Sequence, residues 1–230
     1  GLSDSLTLVV MTSILAKDMD TAMDSMRSSG MGDLKVSGIY GIYADETKRL
    51  LLNLGLSVPT ASIDETNTMG KRFAYAMQFG SGSYGLLPGL SYIYYFKPAY
   101  SYGAQVNAHL PLNDNKYDYK LGNKYNLTTW LAYAISSSLS VSSRLNYTNT
   151  QAIEGKDTQL MMNMSPVNNP ELYAGEVLKV ALGLNWIFHT NNGLNEHRLA
   201  LELDTPVYFN LTGPQMAPCN SLVIGWQKAW

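Results

Sequence analysis

The chain contains one cysteine, three histidines and few charges: Asp, Glu, Lys and Arg make up 15% of its 230 residues. Cys219 alone cannot close an intramolecular disulfide, and it supports no cysteine metal site. The charged fraction lies below the quarter or so usual in soluble domains. A net charge of -2 leaves no electrostatic footprint for nucleic acid. Long apolar runs are missing as well. A bilayer-spanning helix needs about 18 such residues, whereas Leu50, Leu51 and Leu52 are followed at once by Asn53. At the start, Gly1, Leu2, Ser3 and Asp4 read as a turn, not as the basic segment of a secretion signal.

What is present is an alternation of period two. Leu50, Leu52, Leu54, Leu56 and Val58 alternate with Leu51, Asn53, Gly55 and Ser57. Leu178, Val180, Leu182, Leu184, Trp186 and Phe188 alternate with Lys179, Ala181, Gly183, Asn185 and Ile187. Tyr125, Leu127, Leu131 and Tyr133, and again Leu199, Leu201 and Leu203, repeat the pattern. Successive side chains of a strand point to opposite faces, so each segment has one apolar face and one polar or small face.

A soluble sandwich shows the same alternation, and three features separate the two. The segments run to about ten residues or more, the length that crosses a bilayer at a tilt, where globular strands average about five or six. Aromatics gather near segment ends, at Tyr40, Tyr92, Tyr94, Phe96, Tyr100, Tyr102, Trp186, Phe188, Trp226 and Trp230, as in the girdles of membrane barrels. Connections alternate in length. Short ones fall near 44–47, 97–99, 136–138 and 190–195; long ones fall near 17–30, 61–82, 111–118, 150–172 and 212–218. The pattern predicts an all-β fold: one up-and-down antiparallel transmembrane β-barrel over residues 1–230, a monomer in a bacterial outer membrane. About ten strands are expected at 5–16, 31–43, 48–60, 83–96, 100–110, 118–135, 139–149, 174–189, 197–210 and 219–230. Both chain ends then lie on the periplasmic side, where short turns belong.

Four segments carry a family resemblance: Ser28 to Leu34, Leu52 to Thr60, Gly213-Pro214-Gln215-Met216, and the close Gly225-Trp226-Gln227-Lys228-Ala229-Trp230. They resemble a family of proteobacterial outer-membrane barrels whose members are often labelled transporters and which lies near the barrels of phenol-degradation clusters. The resemblance runs over nearly the whole chain. It implies that the region from Gly1 to Leu6 is an inner turn preceded by further chain, and that the complete barrel has about twelve strands.

By the alternation, the inward set includes Asp33, Lys35, Arg49, Asn53, Gln105, Asn107, His109, Lys120, Lys124, Arg144, Lys179, Arg198, Glu202 and Asp204. Bases outnumber acids in this set, which tilts an open passage toward anions. Two readings stay open: the charges line a channel for small solutes, or they pair and fill the interior, since barrels of this size can do either. The methionines are unusual in their placement. Met19, Met23 and Met26 fall in the first long connection, and Met161, Met162 and Met164 in the fourth. Thioethers select Cu(I), so these six form a candidate copper-collecting set, which His109 could join. Met also packs irregular loops and offers an adaptable surface to a protein partner, the second and third readings. No enzyme is expected: the order Phe79-Gly80-Ser81-Gly82-Ser83 lacks the Gly-x-Ser-x-Gly elbow, and His109, His189 and His197 show no carboxylate–serine arrangement. The expected partners are the lipid bilayer, small solutes and a protein at the external loops, without a bound cofactor.

Overall fold

The computed structural model describes residues 3, 5–20, 25–67, 69–189 and 196–229. Fourteen strands follow in chain order among them: β1 Leu6–Met11, β2 Ile14–Asp20, β3 Ser25–Met31, β4 Leu34–Ala44, β5 Lys48–Val58, β6 Gly85–Lys97, β7 Tyr100–Pro111, β8 Tyr119–Lys120, β9 Lys124–Ala134, β10 Leu139–Thr150, β11 Glu154–Gly155, β12 Gly175–His189, β13 Glu196–Leu211 and β14 Ser221–Ala229. Ten of them form a single sheet in the order β1-β4-β5-β6-β7-β9-β10-β12-β13-β14. Every neighbouring pair is antiparallel. This is an outer-membrane β-barrel wall in up-and-down order. No described helix is long and apolar enough to cross a membrane.

The side chains explain why the wall belongs in lipid. On β5, Leu52, Leu54 and Leu56 are exposed, and the same face continues through Leu90, Val106, Leu127, Leu145, Leu182, Leu201 and Leu222. An apolar band of this extent is intolerable in water, and in hydrocarbon it is the required surface. Aromatic contacts border the band at the short-turn end. Tyr94, Phe96, Tyr100 and Tyr133 stack in sequence. On the next face, Trp186 contacts Phe188, and His197 lies flat between Phe188 and Trp226.

Prolines sit where the ladder lapses. The β6–β7 register passes from Leu86↔Leu110 to Gly89↔Asn107, skipping Pro88, which has no N–H to donate. In β13, Pro206 faces Lys179 and Tyr208 faces Leu178, so Val207 is the extra residue of a bulge.

Eight of the ten expected wall strands fall within two or three residues of their expected bounds, and two need correction. The first ends at Met11 instead of 16. Residues 14–31 leave the wall as a separate β2–β3 hairpin, in which Ile14 faces Met31 and Met19 faces Met26. The long connection expected near 17–30 is therefore largely a hairpin, with residues 14–16 belonging to it and not to the first wall strand. The strand expected from 118 begins at Lys124, because Tyr119 and Lys120 pair instead with Gly155 and Glu154. The turn at 190–195 and Trp230 lie outside the described residues.

The long connections do not trail into solvent. Among the described residues, every buried hydrophobic one except Ala181 lies in them or in the β2–β3 hairpin. They fold together into a cap at the end of the wall opposite the short turns, the end expected to be the outer one. Among the described residues no ladder joins β14 to β1, and each has one edge without a strand partner there.

Candidate functional site

The cap is held by contacts between segments remote in sequence. Met19 of β2 packs with Phe73, Ala74 and Met77, and Met26 and Val167 close the same cluster. A second cluster joins Tyr75, Tyr119, Ile153 and Leu160. Tyr75 meets Tyr119 and Tyr173 edge-on, at 4.8 and 5.6 Å between ring centres. Polar contacts fix the register. The Lys17 ammonium donates to the carbonyls of Ala76 at 2.8 Å and Gln78 at 2.5 Å, and Ser28 donates to Met77 O. Asn115 Nδ2 donates to Ser81 O at 3.0 Å. Lys120 pairs with Glu154 at 3.0 Å across β8 and β11.

At the centre of the cap, Arg72 Nε donates to Asp157, and both side chains are buried. The guanidinium also lies 3.7 Å from the centre of the Tyr117 ring. Asp157 N donates to the Tyr75 hydroxyl, and Gln159 N donates to Asp157 Oδ1. Beside this pair, Asp64 accepts from Lys116 Nζ and the Tyr117 hydroxyl. Those two donors hold the Asp64 carboxyl below the usual carboxylate range. Burial pushes the tyrosines up, Tyr173 to about 12, with Tyr75 and Tyr119 shifted the same way.

Two cavities lie on either side of this layer. The outer one, of about 760 Å³, is lined by Arg72, Phe73, Ala74, Leu160 and Val167 together with Met26, Met161 and Met164. The inner one, of about 510 Å³, is lined by Tyr75, Ala76, Gln78 and Phe79 from the same segment, by Leu15 and Lys17 of the hairpin, and by Asp33, Lys35, His109 and Lys124. Residues 72–79 therefore contribute to both linings, Arg72 to Ala74 on one and Tyr75 to Phe79 on the other.

Along the inner face of the wall, polar groups pair within a strand or between strands that are neighbours or one strand apart. Gln105 donates to Ser91, Asn107 to Gln105, Asn126 to Asn107, and Thr148 to Asn126. Arg144 pairs with Glu202 at 3.0 Å. Arg198 donates twice to Asn185 Oδ1, and Lys179 and Ser221 connect to Asp204. Asn53 donates to Leu87 O, and the Arg49 guanidinium stands over Tyr95. The Trp130 ring also turns inward. A Cβ on Gly103 would lie 2.0 Å from it, so only glycine fits opposite.

Of the inward set, Arg49, Asn53, Gln105, Asn107, Arg144, Lys179, Arg198, Glu202 and Asp204 belong to these lumen contacts. Lys35, His109 and Lys124 lie at its upper end. Asp33 joins them in the inner cavity from outside the wall strands, and Lys120 is a correction, since it lies on β8 and lines neither cavity. Asp33 sits in the corner before β4 and accepts from Ala61 N, Ser81 N and Ser81 Oγ. Lys120 belongs to the cap. The methionines divide likewise: Met19 is in a packing core, Met26, Met161 and Met164 line the outer cavity, and Met162 is exposed. Met23 lies outside the described residues. His109 lines the inner cavity and the three thioethers line the outer one, so the two are not brought together. No group of three or more His, Cys, Asp or Glu able to hold a metal occurs among the described residues. Sequence reasoning missed Arg72, Asp157, Asp64 and Tyr75, which carry no local signature.

Fold and site together define an outer-membrane β-barrel with a loop-built cap. The chain belongs to the family described as putative MetA-pathway of phenol degradation, whose model matches residues 4–169. It is similar in fold to an outer membrane channel of Pseudomonas putida F1, with a TM-score of 0.66 and 14% identity, over 99% of this chain and 78% of that one. A FadL homologue of Pseudomonas aeruginosa aligns at a TM-score of 0.44 and 11% identity, over 90% of this chain and 57% of that one. No curated protein matches the chain.

Proposed function

We propose that this barrel is a channel that admits small solutes through a gated outer mouth. The observation that carries the reading is a shared segment: residues 72–79 line both cavities, through Arg72, Phe73 and Ala74 on one and Tyr75, Ala76, Gln78 and Phe79 on the other. Displacing that segment joins the two without altering the wall. The fold shared with an outer membrane channel is consistent with it. The test is planar-bilayer conductance of the detergent-purified protein under a salt gradient. Discrete current steps support a channel. A silent bilayer from folded protein overturns it and leaves the competing reading, a filled barrel that anchors a partner through its cap. The paired lumen side chains, such as Arg144 with Glu202, are compatible with that competitor.

A narrower reading concerns cargo. Met26, Met161 and Met164 place three thioethers around the outer cavity, a donor type that selects Cu(I) over hard divalent ions. This reading makes the cap a collecting vestibule for copper, and it is tested by Cu(I) retention on the intact protein.

A further inference from the structure

We infer that the inner cavity is a binding site for a small organic anion with an apolar body, a carboxylate being the simplest case. The inference deepens the channel reading and rests on it where transport is concerned. Its basis is an imbalance of charge. Three lysines and a histidine line the cavity, with Asp33 as the one acid. Asp33 is already used, because its carboxylate accepts from two backbone N–H groups and the Ser81 hydroxyl. Lys17 is used too, by two cap carbonyls. Lys35 and Lys124 have neither an ion pair nor a hydrogen-bond acceptor among the described residues, although they stand near enough to repel one another. Of the lumen cations, Arg144 has an acid, Arg198 and Lys179 have neutral acceptors and Arg49 an aromatic ring, whereas Lys35 and Lys124 have none of these among the described residues.

Orphaned polar atoms point the same way. His109 Nε2 is buried without a hydrogen-bond partner, and so is the hydroxyl of its neighbour across the wall, Ser57. Buried polar groups are rarely left unpaired, and a ligand or ordered water normally completes them. The rest of the lining decides what kind of anion fits. Leu15, Phe79, Leu121, Ile153 and the rings of Tyr75 and Tyr173 give the same cavity an apolar share of its lining. Inorganic phosphate would leave that surface without a contact, while an aromatic or aliphatic carboxylate covers it and neutralises the lysines at once. A volume of about 510 Å³ lies within the range of small-molecule sites.

The test is calorimetric titration of the full chain in detergent with benzoate, benzyl alcohol and inorganic phosphate, repeated on the Lys35→Gln/Lys124→Gln double variant. Heat-modifiable electrophoretic mobility verifies that each barrel is folded. Benzoate should bind and the neutral alcohol should not. The double variant should bind about tenfold more weakly, the scale of one lost charge-assisted contact. Equal binding of phosphate and benzoate, or undiminished benzoate binding by the variant, overturns the inference. Conductance separates it from the channel reading. Current without benzoate binding sinks the site alone, and benzoate binding to a silent barrel sinks the channel alone.

Discussion

Arg72 and Asp157 are 85 residues apart in sequence, and they meet as a buried ion pair that joins two external connections over the barrel mouth. With the guanidinium on the Tyr117 ring, the pair draws in a third connection. Burying two charges gains little by itself, because desolvation offsets their attraction. What such a pair does is penalise every arrangement in which one partner is buried alone.

Replacing Asp157 with Asn should therefore loosen the cap and spare the wall. Removing one partner of a buried pair costs about 3–5 kcal/mol, here concentrated between the connections. Trypsin should cleave the exposed cap of this variant faster, with the heat-modifiable mobility of the barrel unchanged. In the Arg72→Met/Asp157→Leu double variant, cleavage should return toward the parent rate. Equal protection of parent and Asp157→Asn would show that the pair does not hold the mouth.

Acid should weaken the cap at Asp64. Its folded carboxyl lies below the ordinary Asp value of about 3.9, so its contacts with Lys116 and Tyr117 contribute fully above that value. They are lost as pH falls through the lowered value. Cap proteolysis by an acid-active protease should rise over that interval in the parent and stay flat in Asp64→Asn.

Alkali acts through the tyrosines, with the opposite sense. A tyrosine held up to about 12 favours the folded cap fully below its unfolded value of about 10, and the benefit disappears as pH climbs from there. Absorbance titration should show a late tyrosinate component that Tyr173→Phe reduces. A single wave near pH 10 would contradict the burial described for the cap.

Breaking the lumen pair should change selectivity. Glu202→Gln removes the partner of Arg144 and leaves an unbalanced cation in the passage. The reversal potential in a salt gradient should move toward the anion limit. A shift toward cations, or none in a conducting variant, would place Arg144 outside the ion path.

Copper retention gives a sharp outcome. The Met26→Leu/Met161→Leu/Met164→Leu variant keeps the apolar lining of the outer cavity and removes its thioethers. Cu(I) bound by the intact protein should be lost from the variant. Equal retention by both would exclude this cavity as the copper site.

The wall was legible because a strand in lipid has few choices: Leu52, Leu54 and Leu56 must face outward, which turns Asn53 and Ser57 inward. The cap was not, since its residues answer to packing instead of a repeating surface. The β2–β3 hairpin illustrates this. Leu15, Lys17 and Met19 do alternate with Ala16, Asp18 and Asp20, but neither face is apolar enough to announce a strand. Lys120 shows the complementary error. Its parity with Lys124 is right for a wall strand, yet the chain turns between them, with Gly122 pressed against the Gln151 carbonyl. Arg72 and Asp157 could not be paired by inspection, as nothing local to either names the other.

The same separation sets an order of events during folding. Alternate wall ladders, β4–β5, β6–β7, β9–β10 and β12–β13, join strands linked by short connections and zip at little loop-closure cost. The ladders between them pair strands already adjacent in chain order along the wall. The cap closes loops such as Lys17 to Gln78 and Arg72 to Asp157, 61 and 85 residues apart. Those contacts have no platform until the strands beneath them stand in register. The mouth is therefore the last part of the molecule to form, and a newly inserted barrel passes through a stage in which its wall is complete and its entrance still unguarded.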